Sequence, residues 1–241
     1  MSTPDAAPRT GPKTVLWHRS PGLVPYPEAT AAMERRARAV RDGAAPELLW
    51  FLEHPPLYTG GTSAADDELL APGRFPVYRT GRGGRFTYHG PGQRVGYAVM
   101  DLRRPGPPDV RRYVSDLESW LIAALARLGV TGERRDGRIG IWVRTGGGEA
   151  KIAALGVRIS RWVTTHGIAL NVAPDLSHFG GIVPCGIAQY GVTSLKALGA
   201  ETDMAKVDDA LRTTFEDVFN ARLTEGADPL SEADSLQTVG I

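Results

Sequence analysis

The sequence of 241 residues has one cysteine, Cys185, which excludes an internal disulfide and points to a reducing, cytoplasmic compartment. Long hydrophobic runs are missing too. None reaches the roughly 18 apolar residues of a membrane span; Trp120 to Val130 comes nearest, and Arg127 interrupts it. Met1 to Lys13, rich in proline, alanine and threonine, lacks the apolar core of a secretory signal. Net charge is only +1, and no lysine-arginine cluster is interleaved with aromatics, which argues against a nucleic-acid surface. Arg35, Arg36, Arg38, Arg41, Arg111 and Arg112 read as solvated helix faces. These absences leave a cytosolic protein with no nucleic-acid and no membrane partner.

Glycine, by contrast, is plentiful, and six glycines fall between Gly81 and Tyr97, in G-R-G-G-R-F-T-Y-H-G-P-G-Q-R-V-G-Y. Glycine this dense weakens a strand and is present where something must approach the backbone closely. Arg82, Arg85, Thr87, His89 and Gln93 share the stretch, more polar chemistry than a plain hairpin turn needs. Phe86, Tyr88, Val95 and Tyr97 alternate in a way that pins it to a sheet rather than leaving it a surface loop.

Around it the pattern predicts strands at Thr14–His18, Leu48–Leu52, Pro76–Thr80, Val95–Leu102, Gly140–Arg144, Lys151–Ile159, Thr164–Val172 and Val192–Leu195. Helical spacing covers Glu28–Val40, a segment from the N-cap Asp109 to Leu128, and one from the N-cap Asp203 to Leu223. Two prolines and two glycines predict a loop over Glu53–Gly61. The expectation is an α/β protein of the α+β type, a mixed β-sheet flanked by helices. One domain spans 14–223, between a disordered leader (1–13) and a disordered tail (224–241). Regular β-α-β alternation is absent, and the glycine stretch lacks the strand-to-helix context of a dinucleotide or Walker site.

Cys185 lies in G-G-I-V-P-C-G-I (Gly180–Ile187). Lone cysteines are commonly buried hydrophobes, but a loop between Pro184 and Gly186 has little use for a filler. Such a loop exposes a sulfur and backbone N–H groups, the nucleophile and oxyanion donors that acyl transfer needs. A thiol also needs a positive neighbour to be a thiolate at neutral pH. Lys151, following Gly146-Gly147-Gly148-Glu149-Ala150 and opening an apolar strand, is a candidate; its bland alternative is a solvated strand end. His54, His89, His166 and His178 lack the short spacings of a metal site, so no metal is expected.

Several segments together resemble the lipoyl(octanoyl) transferases. Arg82–Tyr97 is similar to that family's signature, and the resemblance extends to Glu53–Thr59, Lys151–Arg158, Thr165–Val172, Ile182–Ile187 and Gly191–Leu195, in the family's order. Ala98 departs from it, standing where the family usually has proline. The resemblance implies the fold of biotin and lipoate protein ligase catalytic domains. It implies an octanoyl (or lipoyl) group taken from octanoyl-acyl carrier protein, and no cofactor. The acceptors would be lysines of lipoyl domains, in 2-oxoacid dehydrogenase E2 subunits and the glycine cleavage H protein. By that resemblance Cys185 carries the acyl thioester and Lys151 is its activating partner. Arg82, Gly83, Gly84, Arg85, Phe86, Thr87, Tyr88, His89, Ala154, Leu155, Gly156, Gly167, Ile168 and Ala169 would line the acyl site. Three alternatives stand beside it: an ATP-dependent lipoate ligase, a protein-to-protein octanoyl amidotransferase, and a silent module that binds acyl carriers or lipoyl domains.

Overall fold

The structure, a computed structural model, describes residues 11–103, 107–183 and 190–231. Its frame is a mixed sheet. β1 (Lys13–Leu23) runs parallel to β2 (Leu48–Glu53), the two being joined by α1 (Tyr26–Arg41). β6 (Gln93–Val99) lies antiparallel to β2, β9 (Val163–Asn171) antiparallel to β6, and β8 (Gly148–Ser160) antiparallel to β9. β7 (Ile141–Thr145) forms a hairpin with β8, while β10 (Gly191–Val192) and β11 (Ala221–Glu225) add parallel pairings to β8 and β1. A small second sheet holds β4 (Val77–Arg79), β3 (Leu57–Gly60) and β5 (Phe86–His89) in that order.

The alternation along each strand divides the core between two faces. On one, Ala29, Ala32 and Met33 of α1 cover Trp50, Leu52, Val95, Tyr97 and Ala169. On the other, α2 (Val110–Arg127) and α3 (Met204–Phe219) cover Phe51, Ala98, Ile168 and Leu170. Trp120 of α2 is fully buried there, stacked on Phe51, and its indole N–H donates to the Leu211 carbonyl of α3 at 2.7 Å. Truncating such a residue costs about 3–5 kcal/mol. Asp109 and Asp203 cap α2 and α3 by accepting from the amides of Arg112 and Ala205.

Several expectations need correction. Leu57–Gly60, predicted as loop, is the fully buried strand β3; between Pro56 and Gly61 there is room for four extended residues, and they bind β4 and β5 on either side. α3 stops at Phe219 rather than Leu223, because Asn220 adopts a left-handed backbone (φ +46°). Residues 221–225 then pair with the open edge of β1, so the strand occupies positions 224 and 225 that the pattern had left to a disordered tail. Val110, which its spacing from Tyr113, Val114 and Leu117 places on the apolar stripe of α2, is 40% exposed in the first turn of that helix.

Candidate active site

The glycine stretch runs along the free edge of β8, where the Gly83 amide donates to the Val157 carbonyl at 2.9 Å. A cavity opens on each side of it. The first, about 510 Å³ counting the space open to solvent, has Ala154–Gly156 of β8, His166–Ala169 of β9, and Val95 and Tyr97 of β6 along its base. Thr87 and His89 of β5, with Arg82, Gly84 and Arg85, close it from above. The second, about 990 Å³ and more open, has Val114 and Leu117 of α2, Ile139, Val157 and Lys151. Gly84, Arg85, Leu155 and Gly156 belong to both.

Arg82 holds this arrangement together. Its guanidinium donates to the carbonyls of Thr59 (2.8 Å), Gly83 (3.0 Å) and Arg85 (3.1 Å) and to the Thr59 hydroxyl (2.7 Å). Buried carbonyls need donors, and a charged one serves several at once. Its stem lies over Gly156, where a Cβ would come 3.0 Å from Arg82 Cδ and 3.3 Å from the Gly83 carbonyl oxygen. Glycine at 156 is thus a condition of the clasp.

Burial sets the protonation of the inner wall. His54 Nδ1 donates to the Val24 carbonyl at 2.7 Å, which leaves Nε2 to accept from the Tyr97 hydroxyl at 2.9 Å. Desolvation brings the His54 pKa down to about 4. Desolvation, then the Arg82 charge, brings His166 to about 3. His89, whose Nδ1 donates to Gln93 Oε1 at 2.7 Å, is held well below the usual imidazole range, again by burial first. Burial pushes Tyr26 up to about 12 and Tyr97 well above its ordinary value. At neutral pH the wall therefore presents uncharged imidazoles and phenols beside an apolar base, a lining suited to an aliphatic chain.

Lys151, predicted to be either a catalytic partner or a solvated strand end, is 6% exposed. Its Nζ donates to the Ile139 carbonyl at 2.8 Å and stands 5.0 Å from the Trp142 ring centroid. Gly140, at φ +123°, makes room: a Cβ there would sit 2.9 Å from Lys151 Cε. Cys185 lies outside the described residues. The residues flanking its segment are placed. The Val183 amide donates to the Glu68 carbonyl at 2.8 Å, and the Glu68 carboxylate binds Arg85. Tyr190 packs edge-on against Trp142 at 5.5 Å, and Val192 pairs with Lys151.

Residues 25–216 match the family described as the lipoyl protein ligase A/B catalytic domain. The chain belongs to that family. The octanoyltransferase of Paramagnetospirillum magneticum is 64% identical over 208 residues, 86% of this chain and 98% of that protein. That of Gluconacetobacter diazotrophicus is 59% identical over 216 residues, 87% and 93% of the two. This member of the lipoyl protein ligase A/B family is an acyltransferase of the octanoyl-transferring kind. Among solved structures, a bi-partite lipoate protein ligase of Thermoplasma acidophilum superposes with a TM-score of 0.68 at 15% identity, covering 92% of this chain and 90% of that one. Lipoate-protein ligase A bound with ATP gives 0.69 at 15%, covering 92% and 91%. The mixed sheet with helices is thus the fold of the lipoate protein ligases.

Of the family-type site residues, the first cavity gathers Arg82, Gly84, Arg85, Thr87, His89, Ala154, Leu155, Gly156, Gly167, Ile168 and Ala169. Gly83 faces the second cavity. Phe86 and Tyr88 turn the other way and pack with Tyr58, Phe179 and Ile182. The period of two sends them to the opposite side of β5 from Thr87 and His89. Tyr88 there meets His178 Nδ1 at 2.8 Å, in the short 3₁₀ turn Leu176–Gly181 that leads towards Cys185. Sequence reasoning missed Tyr26 and, as lining residues, Val95 and Tyr97. The alternation of Val95 and Tyr97 with Gly96 was the signal for the latter two; for Tyr26 there was none. Among the described residues no group of three or more His, Cys, Asp or Glu side chains could hold a metal ion, and no helix is long and apolar enough to cross a membrane.

Proposed function

We propose that this enzyme moves an octanoyl group from acyl carrier protein to a lysine of a lipoyl domain through a thioester on Cys185. The observation that carries the role of Cys185 is the placement of its flanks. One end of the segment is tied through Glu68 to Arg85, which lines both cavities; the other is tied through Tyr190 and Val192 to Trp142 and Lys151. Six residues join these two tied ends, and where those ends are held supports a role for Cys185 at the mouth shared by both cavities.

In the first half-reaction the Cys185 thiolate attacks the donor's thioester carbonyl, and the carrier's thiol leaves with a proton. The octanoyl tail occupies the first cavity. In the second half-reaction the acceptor lysine's amine attacks the enzyme thioester, loses a proton, and forms the amide as the Cys185 thiolate departs. Lys151 serves both halves. Its ammonium favours the thiolate before acylation and gives its proton to the departing carrier thiolate. The neutral amine so formed takes up the proton that the attacking acceptor amine releases, which restores the ammonium beside the Cys185 thiolate. The thioester donor is already activated, so the scheme consumes no ATP. Lipoyl domains of 2-oxoacid dehydrogenase E2 subunits and of the glycine cleavage H protein are the acceptors, in the cytoplasm.

Incubation with octanoyl-acyl carrier protein alone, without ATP, tests the scheme. Intact mass should rise by one octanoyl group in the wild type and not in Cys185→Ala. Lys151→Ala should slow iodoacetamide alkylation of Cys185 near neutral pH, and Lys151→Arg should retain part of that reactivity but lose transfer. Wild-type transfer by Cys185→Ala would refute the covalent route.

A further inference from the structure

The acyl cavity has a direction. Its base crosses the sheet from β8 through β9 to β6, and among the lining residues none comes from β2, the next strand. At the β8 end it shares its mouth with the cavity of Lys151; on β6 its lining is Val95 and Tyr97, and Tyr26 of α1 completes it. Two strand spacings separate β8 from β6, about 10 Å, close to the length of an extended eight-carbon chain. Tyr97 closes the far end: it is paired directly with Trp50 of β2, whose ring meets it edge-on at 6.0 Å from behind.

Tyr97 is braced on two further sides. His54, fixed by its bond to the Val24 carbonyl, accepts from the Tyr97 hydroxyl. His166 stands against the ring at 5.8 Å and 87°. In a regular strand His166 would point to the face opposite Gly167, the direct partner of Tyr97. It reaches Tyr97 because its backbone is left-handed, φ +62°, a conformation non-glycine residues rarely adopt. The turned amide donates to Met33 Sδ of α1 at 3.0 Å, while the residue keeps its register opposite Val157 of β8. The Thr164 hydroxyl donates to the Ala98 carbonyl at 2.7 Å and accepts from the Met100 amide at 2.9 Å. A strained residue in a central strand persists only where the surroundings over-determine it, and such strain clusters at functional sites.

We propose that Tyr97 is the wall that limits acyl chain length, with His54 and His166 as the positioning residues that keep it from yielding. The proposal rests on the octanoyl-transfer reading, because it takes the cavity to be the acyl site. A chain of eight carbons fills the span from β8 to β6; longer chains meet a ring that cannot rotate aside while three neighbours hold it. Tyr97→Leu removes the ring and opens the path towards Trp50.

Two measurements separate the wall from the transfer. Calorimetric binding of free octanoic, decanoic and dodecanoic acids reads the wall, and transfer from octanoyl-acyl carrier protein reads the activity. The wild type should bind dodecanoic acid about tenfold or more weaker than the trend of added methylenes predicts, and Tyr97→Leu should recover that factor. Tyr97→Phe keeps the ring and should keep the limit. His166→Ala should soften it, so that decanoic acid gains over octanoic acid. If Tyr97→Leu does not fold, Val95→Ala shortens the same wall and should favour decanoic acid. Affinity that rises steadily with length in the wild type, or a length profile unchanged in the folded variants, overturns the wall whether or not transfer occurs. A shifted profile in a protein that transfers nothing leaves the wall standing and refutes the octanoyl-transfer reading.

Discussion

Acidification should unfold this protein through its histidines before its carboxylates matter. His54 and His166 titrate at about 4 and about 3 in the folded chain, against about 6.5 when unfolded. A depressed imidazole pKa means that the unfolded chain binds protons the folded chain does not. Stability is therefore intact above pH about 6.5, falls as pH drops below it, and stops falling only at the folded values. Each histidine loses about 1.4 kcal/mol per pH unit in that window. Between pH 6.5 and about 5 the pair removes about 4 kcal/mol, a large part of the 5–15 kcal/mol of a typical domain. Glu133, Glu149, Asp175 and Glu201, whose pKa values are lowered by hydrogen-bonding partners, act only at lower pH. Asp208, whose pKa is raised by burial, acts in the opposite sense. Urea unfolding followed by tryptophan fluorescence at about pH 7, 6 and 5 measures the effect as a falling midpoint at constant slope. An unchanged midpoint between about pH 7 and 5 would show that the imidazoles are not held neutral.

Arg82→Met leaves the Thr59, Gly83 and Arg85 carbonyls without this donor; thermal denaturation should report a loss of about 3 kcal/mol or more. Gly156→Val drives a side chain into Arg82 and the Gly83 carbonyl, and should abolish fatty-acid binding in calorimetry while circular dichroism stays close to wild type. Gly140→Val displaces Lys151, so octanoyl transfer should fall by more than about tenfold, with fatty-acid binding retained. Asp203→Ala removes the cap of α3 and should cost about 1 kcal/mol in urea unfolding with transfer per folded molecule unchanged.

Where periodicity was long, the sequence could be read directly. The stripe Val110, Tyr113, Val114, Leu117, Trp120, Leu121, Ala124, Leu125 and Leu128 predicts α2. Its six middle-turn members Tyr113, Leu117, Trp120, Leu121, Ala124 and Leu125 are buried, while Val114 and Leu128 are half-buried and Val110 is exposed. The density of glycine between Gly81 and Tyr97 pointed to a close approach, realised at Gly92, where a Cβ would come 2.5 Å from the Ala173 carbonyl oxygen, and at Gly81, where it would come 2.9 Å from Arg158 Cδ. Failures arose where a distant partner decides. β3 is four residues between breakers, and only β4 and β5 make it a strand. Residues 221–225 continue the spacing of α3 until β1 offers an edge more than 200 positions away. Alternation marked Phe86 and Tyr88 as residues that pin the stretch to a sheet, and the structure buries Thr87 and His89 as well; period two cannot say which side holds the cavity. The left-handed turn at His166 has no sequence signal at all, since its warrant is a methionine sulfur on α1.

The pairing of β11 with β1 bears on how the protein is made. Ribosomal synthesis proceeds from the N-terminal end, so β1 is complete and exposed long before its outer neighbour exists. Until Ala221–Glu225 has left the exit tunnel, Lys13–Trp17 offers a row of unpaired amides and carbonyls to any other nascent strand. Release of the last strand, rather than collapse around the helices, closes the sheet. Chains stalled before residue 221 should accordingly be the ones that bind chaperones or associate with one another.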